Sequence, residues 1–387
     1  MAPEIRRSDV TLANWRTTPY CRWSFQNVAE LVPSATVGYP AGGAKAVRPD
    51  APDGIVVDDP ASGRRISASD YFALTEADCF LALKDSRPVA SWCAGHADFD
   101  APHVIFSISK SVTGLMAGIA QADGALDPGA PVSAYVELPA TCGYADARVR
   151  DLLDMTVAID FDEEYLDADG AFDRYRRAML WNPEHAGKPE TMETVLASLG
   201  RGEGEHGRRF YYASPNTDML GLVIERATGL RFHRYLAERL WGPMGAQGAA
   251  YVTVDRAGTA RAAGGLCVTV SDLARLGQLV LDGGKARDGR QVVPAGWIDD
   301  LRNNGSREAW RIGNFADTFE NGRYRSCWYS ADDDHNSFCG VGIHGQWIWA
   351  DPETGVVMAK TASRNVPSDD AATARDIAVL GQIARRL

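Results

Sequence analysis

The chain has 387 residues, 45% of them hydrophobic and 24% charged, with 10 Trp, 13 Tyr and 12 Phe, a composition that excludes disordered and fibrous architectures. Fifty-one acidic against 40 basic residues give a formal charge of −11, which disfavours nucleic acid and anionic membrane as partners. The longest apolar stretch, residues 104–120, is broken by Ser, Lys and Gly before the ~20 apolar residues of a membrane span, so no transmembrane helix is expected. Arg6-Arg7 leads into no apolar run of a secretory signal, and the cytoplasm is the expected location.

Residues 1–70, rich in Pro, Gly, Asp and Ala, lack periodicity and read as an irregular N-terminal arm packed on the core. Two short apolar runs at 79–83 and 89–92 flank Lys84-Asp85-Ser86-Arg87-Pro88 in a hairpin pattern. Helical periodicity covers 107–122, 149–155, 190–199, 217–227, 232–240 and 270–281, with Gly229 and Gly283-Gly284 as stops. The acidic stretch 160–169 reads as a loop, with Asp160, Glu163, Glu164 and Asp167 solvated. Strand patterns return at 324–329, 346–349 and 356–360, and residues 370–387 form an amphipathic helix with Ile377, Leu380, Ile383 and Leu387 apolar. Strands near both ends with helices between them predict an α/β (α+β) fold whose antiparallel sheet draws on both ends of the chain. The expected division is the arm 1–70, an α/β subdomain from 71–105 and 268–387, and a mostly helical subdomain 106–267, with the active site in the cleft between them.

Three features carry chemistry. Ser107 and Lys110 are three apart at the start of an apolar helix, so the amine reaches the hydroxyl. Only six of the 40 basic residues are Lys, and Lys110 alone among them has a serine three positions before it. A serine is a poor nucleophile without an adjacent base, and desolvation in an apolar helix lowers the lysine pKa toward that role. The competing reading of the pair is an N-cap serine with a snorkelling lysine. Tyr212 stands on the loop feeding the helix that begins near Thr217, where a phenol can carry a proton; alone it would read as a core aromatic. Gly340, Gly342 and Gly345 line a run into Trp347-Ile348-Trp349 and let a substrate backbone approach closely. His344 in that run reads equally as a hydrogen-bonded structural residue or a pocket group. The seven Cys lack a Cys-x-x-Cys pair and the seven His lack His-x-x-x-His spacing, so reduced thiols and a mechanism with no metal and no cofactor are expected.

In this order and near these spacings, the three features resemble the serine beta-lactamase and penicillin-binding-protein superfamily, and within it the 6-aminohexanoate-dimer hydrolases and related carboxylesterases. Further matching stretches are Val149-Arg150-Asp151-Leu152-Leu153-Asp154-Met155-Thr156, Glu164-Tyr165, Ala263-Gly264-Gly265-Leu266 and Gly342-Ile343-His344-Gly345-Gln346. The resemblance covers about residues 70–387 and implies a beta-lactamase/transpeptidase-like fold. It implies Ser107 as nucleophile, Lys110 as its base and Tyr212 as proton shuttle to the leaving group. It also implies an oxyanion hole from the backbone N–H groups of Ser107 and Ile343, with Tyr165, His344 and Gly345 beside the substrate. Where the beta-lactamases have Lys-Thr-Gly this chain has Gly-Ile-His-Gly, which disfavours penicillin hydrolysis. Ala263 replaces an Asn of the dimer hydrolases, and their ammonium-binding Asp has a counterpart in Asp173 only if the loop is gapped, so ester hydrolysis is expected ahead of dimer hydrolysis. The expected substrate is a small ester or linear amide. Acyl transfer to an amine or alcohol stays open as the alternative, followed by beta-lactamase, DD-peptidase and inactive binding-protein readings. A homodimer is compatible with all of them.

Overall fold

The computed structural model describes residues 5–38, 47–185 and 187–387. Its frame is a seven-stranded antiparallel sheet of β1 (Ala77–Lys84), β2 (Arg87–Cys93), β3 (Arg323–Arg325), β4 (Trp328–Ser330), β5 (Phe338–Gly342), β6 (Gln346–Asp351) and β7 (Val356–Ala362). The spatial order is β2-β1-β7-β6-β5-β4-β3, so the hairpin near the N-terminus joins strands from the end of the chain. Strands β6 and β7 are buried at every residue, which is why they read as continuous apolar runs rather than as alternation. The predicted hairpin turn forms at Asp85 and Ser86, both with positive φ. The single strand expected over 324–329 is instead β3 and β4, because Ser326 (φ 49°) and Cys327 (φ 67°) take left-handed backbone and reverse the chain. Cys79 and Cys93, 14 residues apart in the chain, are cross-strand partners of β1 and β2.

Four helices matter for the site: α1 (Ile108–Ala122), α2 (Ser214–Thr228), α3 (Val270–Leu281) and α4 (Asp370–Arg386). Helix α1 is buried along almost its whole length, and a Cβ at Gly114 would meet the Ser326 carbonyl, so a small residue there lets the helix lie against the β3–β4 turn. Helix α3 packs on β7 and β6, where a Cβ at Gly277 would collide with Val357 and Ile348. Helix α4 is tied to the sheet by Asp376, which is fully buried and accepts from Trp347 Nε1 (2.7 Å), Lys360 Nζ (2.9 Å), Arg364 Nη2 (2.7 Å) and the Tyr71 hydroxyl.

Of the expected irregular arm 1–70, residues 1–4 and 39–46 lie outside the described residues, and the rest carries regular structure. Ser34–Gly38 is the edge strand of a second antiparallel sheet, followed in space by Ala250–Thr253, Leu266–Val268 and His103–Val104. Val56–Asp59 and Arg64–Ser67 form a hairpin, and Ala68–Leu74 is helical. The segment is anchored by Trp15 and Phe25, both fully buried. The second sheet matters for function because it brings the entry to α1 beside the segment 262–266. Among the described residues, no helix is long and apolar enough to cross a membrane, and no group of three or more His, Cys, Asp or Glu could hold a metal ion.

Candidate active site

The chain leaves His103–Val104, passes Phe106 with φ 44°, and enters α1 at Ser107. That left-handed residue turns the strand sharply into the helix and sets Ser107 at its mouth. The Ser107 side chain makes no capping bond to the helix, so the N-cap alternative does not hold. Lys110 Nζ instead donates to Ser107 Oγ at 2.8 Å and to the Ala263 carbonyl at 2.9 Å. Lys110 is 1% exposed, and burial draws its pKa down from 10.5 to about 8; the Glu163 carboxylate acts against this and the Arg261 guanidinium adds to it.

The acceptor at Ala263 is held from several sides. Asp218 on α2 accepts the Ala263 N–H at 2.7 Å and is paired with buried Arg261. Thr113 Oγ1 donates to the Ala262 carbonyl at 3.0 Å, and Ser109 Oγ accepts the Leu266 N–H at 3.1 Å. The backbone of 262–266 is thereby fastened to α1 by Ser109, which lies between the reactive pair, and by Thr113, about one turn beyond Lys110.

Tyr212 comes to the same place from the loop before α2. Its ring centroid is 4.9 Å from Lys110 Nζ, it stacks on Phe315 at 4.8 Å, and it lines the same cleft as Ser107. Burial, and secondly the Glu163 carboxylate, push the phenol well above its ordinary range, so it keeps its proton at neutral pH. Ser107, Lys110 and Tyr212 therefore converge.

The other predicted residues divide. Tyr165, Ile343 and Gly345 line the cleft with Ser107 and Tyr212. Ile343 is not on a strand: β5 ends at Gly342 and residues Ile343–Gly345 form a short 3-10 turn before β6. The His344 side chain lies outside the cleft. With φ 62° the residue turns inward, its Nδ1 pairs with the Arg364 carbonyl at 2.6 Å, and its ring packs on Phe25 and Phe106. Burial lowers its pKa to about 3, leaving a neutral imidazole in the core. Asp173 also faces elsewhere, paired with Arg177 and Asn182.

Glu163, expected in solvent, is the residue that sequence reasoning missed. Its carboxylate accepts the Ser214 N–H, Ser214 Oγ (2.7 Å) and the Tyr165 hydroxyl (2.8 Å), capping the positive end of α2 beside the reactive pair. Asp160, Glu164 and Asp167 are exposed as expected.

This arrangement has relatives. A family model described as Beta-lactamase matches residues 53–382. The 6-aminohexanoate-dimer hydrolase of Paenarthrobacter ureafaciens is 35% identical over 363 residues, covering 93% of this chain and 90% of that protein. Among solved structures, a candidate 6-aminohexanoate-dimer hydrolase from Bacillus anthracis superposes with a TM-score of 0.89 at 22% identity over 99% of this chain and 98% of that one. EstCE1, described as a hydrolase with promiscuous acyltransferase activity, gives 0.60 at 16% identity over 80% and 96%. The chain belongs to the beta-lactamase family and is a hydrolase of its serine hydrolase superfamily.

Proposed function

We propose that the protein cleaves a small carboxylic ester or linear amide through an acyl-enzyme on Ser107. The observation that carries this reading is the 2.8 Å contact from buried Lys110 Nζ to Ser107 Oγ. Neutral Lys110 takes the hydroxyl proton as Ser107 Oγ attacks the substrate carbonyl. The oxyanion collects at the start of α1 and is met by the backbone N–H groups of Ser107 and Ile343. Tyr212 hands its proton to the departing nitrogen or oxygen and is reprotonated from Lys110. Water then attacks the acyl-enzyme with Lys110 again as base, and Lys110 returns that proton to Ser107 Oγ as the C–Oγ bond breaks and the product acid leaves. No cofactor or metal enters these steps.

Acyl transfer differs only in the nucleophile of the second half. The cleft in front of Ser107 opens to solvent between Tyr165, Tyr212, Phe315 and Ile343, so an alcohol or amine can approach the acyl group through it. A chromogenic butanoate ester with and without added amine separates the readings. Hydrolysis predicts nitrophenolate and free butanoate at unchanged yield; transfer predicts butanoyl amide in proportion to the amine. Absence of nitrophenolate release above the buffer rate refutes both.

A further inference from the structure

The space around Ser107 divides in two. The larger part is lined by Tyr212, Phe315, Tyr329 and the residues just before α4. The smaller, a tight space that shares Ser107 and Ile343, contains Arg16, Arg176 and Arg261, and Tyr212 is not on its wall. Tyr212 is the proton donor to the leaving group, so the leaving group departs through the larger part and the acyl chain stays with the arginines.

Those arginines are short of counter-charge. Arg261 is paired with Asp218, yet its buried Nε has no hydrogen-bond partner. Arg176 is 9% exposed, lies 4.2 Å over the Phe172 ring and donates to the Tyr165 carbonyl at 2.9 Å. Arg16 donates to the Trp181 carbonyl at 3.1 Å and to Asn182. Among the described residues, neither Arg16 nor Arg176 makes an ion pair with a carboxylate. Glu163 is the one carboxylate on this wall, and both its oxygens are engaged by Ser214 and Tyr165. Counting Arg16, Arg176 and Arg261 against Asp218 and Glu163 leaves one positive charge uncompensated when Lys110 is neutral. Burial, and secondly Arg176, disfavour the charge on Arg16, so two guanidiniums face one pocket at a cost that an anion between them would remove. An ammonium group would find no free carboxylate there, because Asp173 on the same helix as Arg176 is turned to Arg177.

We infer that the acyl half of the site recognises a carboxylate: the substrate is a half-ester or half-amide of a short dicarboxylic acid, cleaved at one carbonyl while Arg176 and Arg16 hold the other end. The guanidinium fork matches a carboxylate in two parallel hydrogen bonds. The inference rests on the reading of Ser107 as nucleophile.

The test compares mono-p-nitrophenyl succinate, glutarate and adipate with the p-nitrophenyl esters of butanoate, pentanoate and hexanoate, which match them in chain length. For at least one length, kcat/KM for the anionic ester should exceed the neutral one by about ten- to a hundredfold, the worth of one charge-assisted pair. That ratio should fall with added KCl, collapse in Arg176→Met and be partly kept in Arg176→Lys; Arg16→Gln supplies the same readout if the methionine variant does not fold. A ratio of one or below at every length, or a ratio that Arg176→Met and Arg16→Gln leave unchanged, overturns the inference. Turnover of the neutral esters reports the Ser107 chemistry separately. If neither kind of ester is cleaved, the nucleophile reading fails by itself, and calorimetric titration of glutarate and adipate into the Ser107→Ala protein decides the pocket: saturable binding lost in Ser107→Ala/Arg176→Met supports it, and no heat with either acid overturns it.

Discussion

If Lys110 is the base, its buried position sets the rate at neutral pH. A lysine at its ordinary pKa of 10.5 is neutral in about one molecule in 3,000 at pH 7, whereas at about 8 it is neutral in roughly one in eleven. Burial in α1 thus supplies roughly 300-fold more competent enzyme at pH 7 than an exposed lysine would. The reactive form is the deprotonated one, so the acylation rate, read as the nitrophenolate burst in stopped flow, should rise about tenfold per pH unit below 8 and level off above it. No descending limb should appear before pH 10, because the phenol of Tyr212 is held well above its ordinary range. Glu163 acts on the same amine. Its carboxylate favours the charged amine, so Glu163→Gln should move the midpoint to lower pH. Lys110→Arg, charged throughout, should abolish the burst. A flat profile between pH 6 and 9, or a midpoint that moves upward in Glu163→Gln, would refute Lys110 as the titrating base.

Tyr212→Phe removes a donor but leaves Lys110, so it should slow an alkyl amide or anilide by roughly 10²–10⁴-fold while an activated ester loses less than about tenfold. Equal losses on both would mean that Tyr212 helps generate the nucleophile. Asp376→Asn removes the charge that faces Lys360 and Arg364 in the core; burial opposes ionisation of Asp376, yet those two cations hold its carboxyl below the ordinary range. Urea unfolding should show a loss of about 3–5 kcal/mol, the cost of orphaning a buried ion pair, and a loss under 1 kcal/mol would contradict the role given to the cluster.

What the sequence discloses tracks how local the determinants are. Ser107 and Lys110 share one turn of one helix, so their spacing alone brings them together. The apolar runs of β1, β6 and β7 need no partner to be recognised. Ser34–Gly38 was illegible as a strand because the strand that completes it begins at Ala250. Glu163 lies in a run of acids that water could serve, and only the folded chain brings the start of α2 to it. The position of His344 is set by a single left-handed φ, which no periodicity reports. Arg16, Arg176 and Arg261 come from three distant segments, and in a chain with 34 Arg nothing marks them out singly. The reactive trio follows a family pattern of local motifs, whereas the pocket's charge is set by packing between distant segments.

The most direct measurement labels the protein with a fluorophosphonate and locates the adduct by peptide mass spectrometry. Ser109 and Ser111 are 2% exposed, and their hydroxyls are committed to the Leu266 N–H and the Cys327 carbonyl. The account predicts one adduct, on Ser107, lost in Ser107→Ala and retained in Ser109→Ala and Ser111→Ala. An adduct on any other serine, or undiminished labelling of Ser107→Ala, would contradict it.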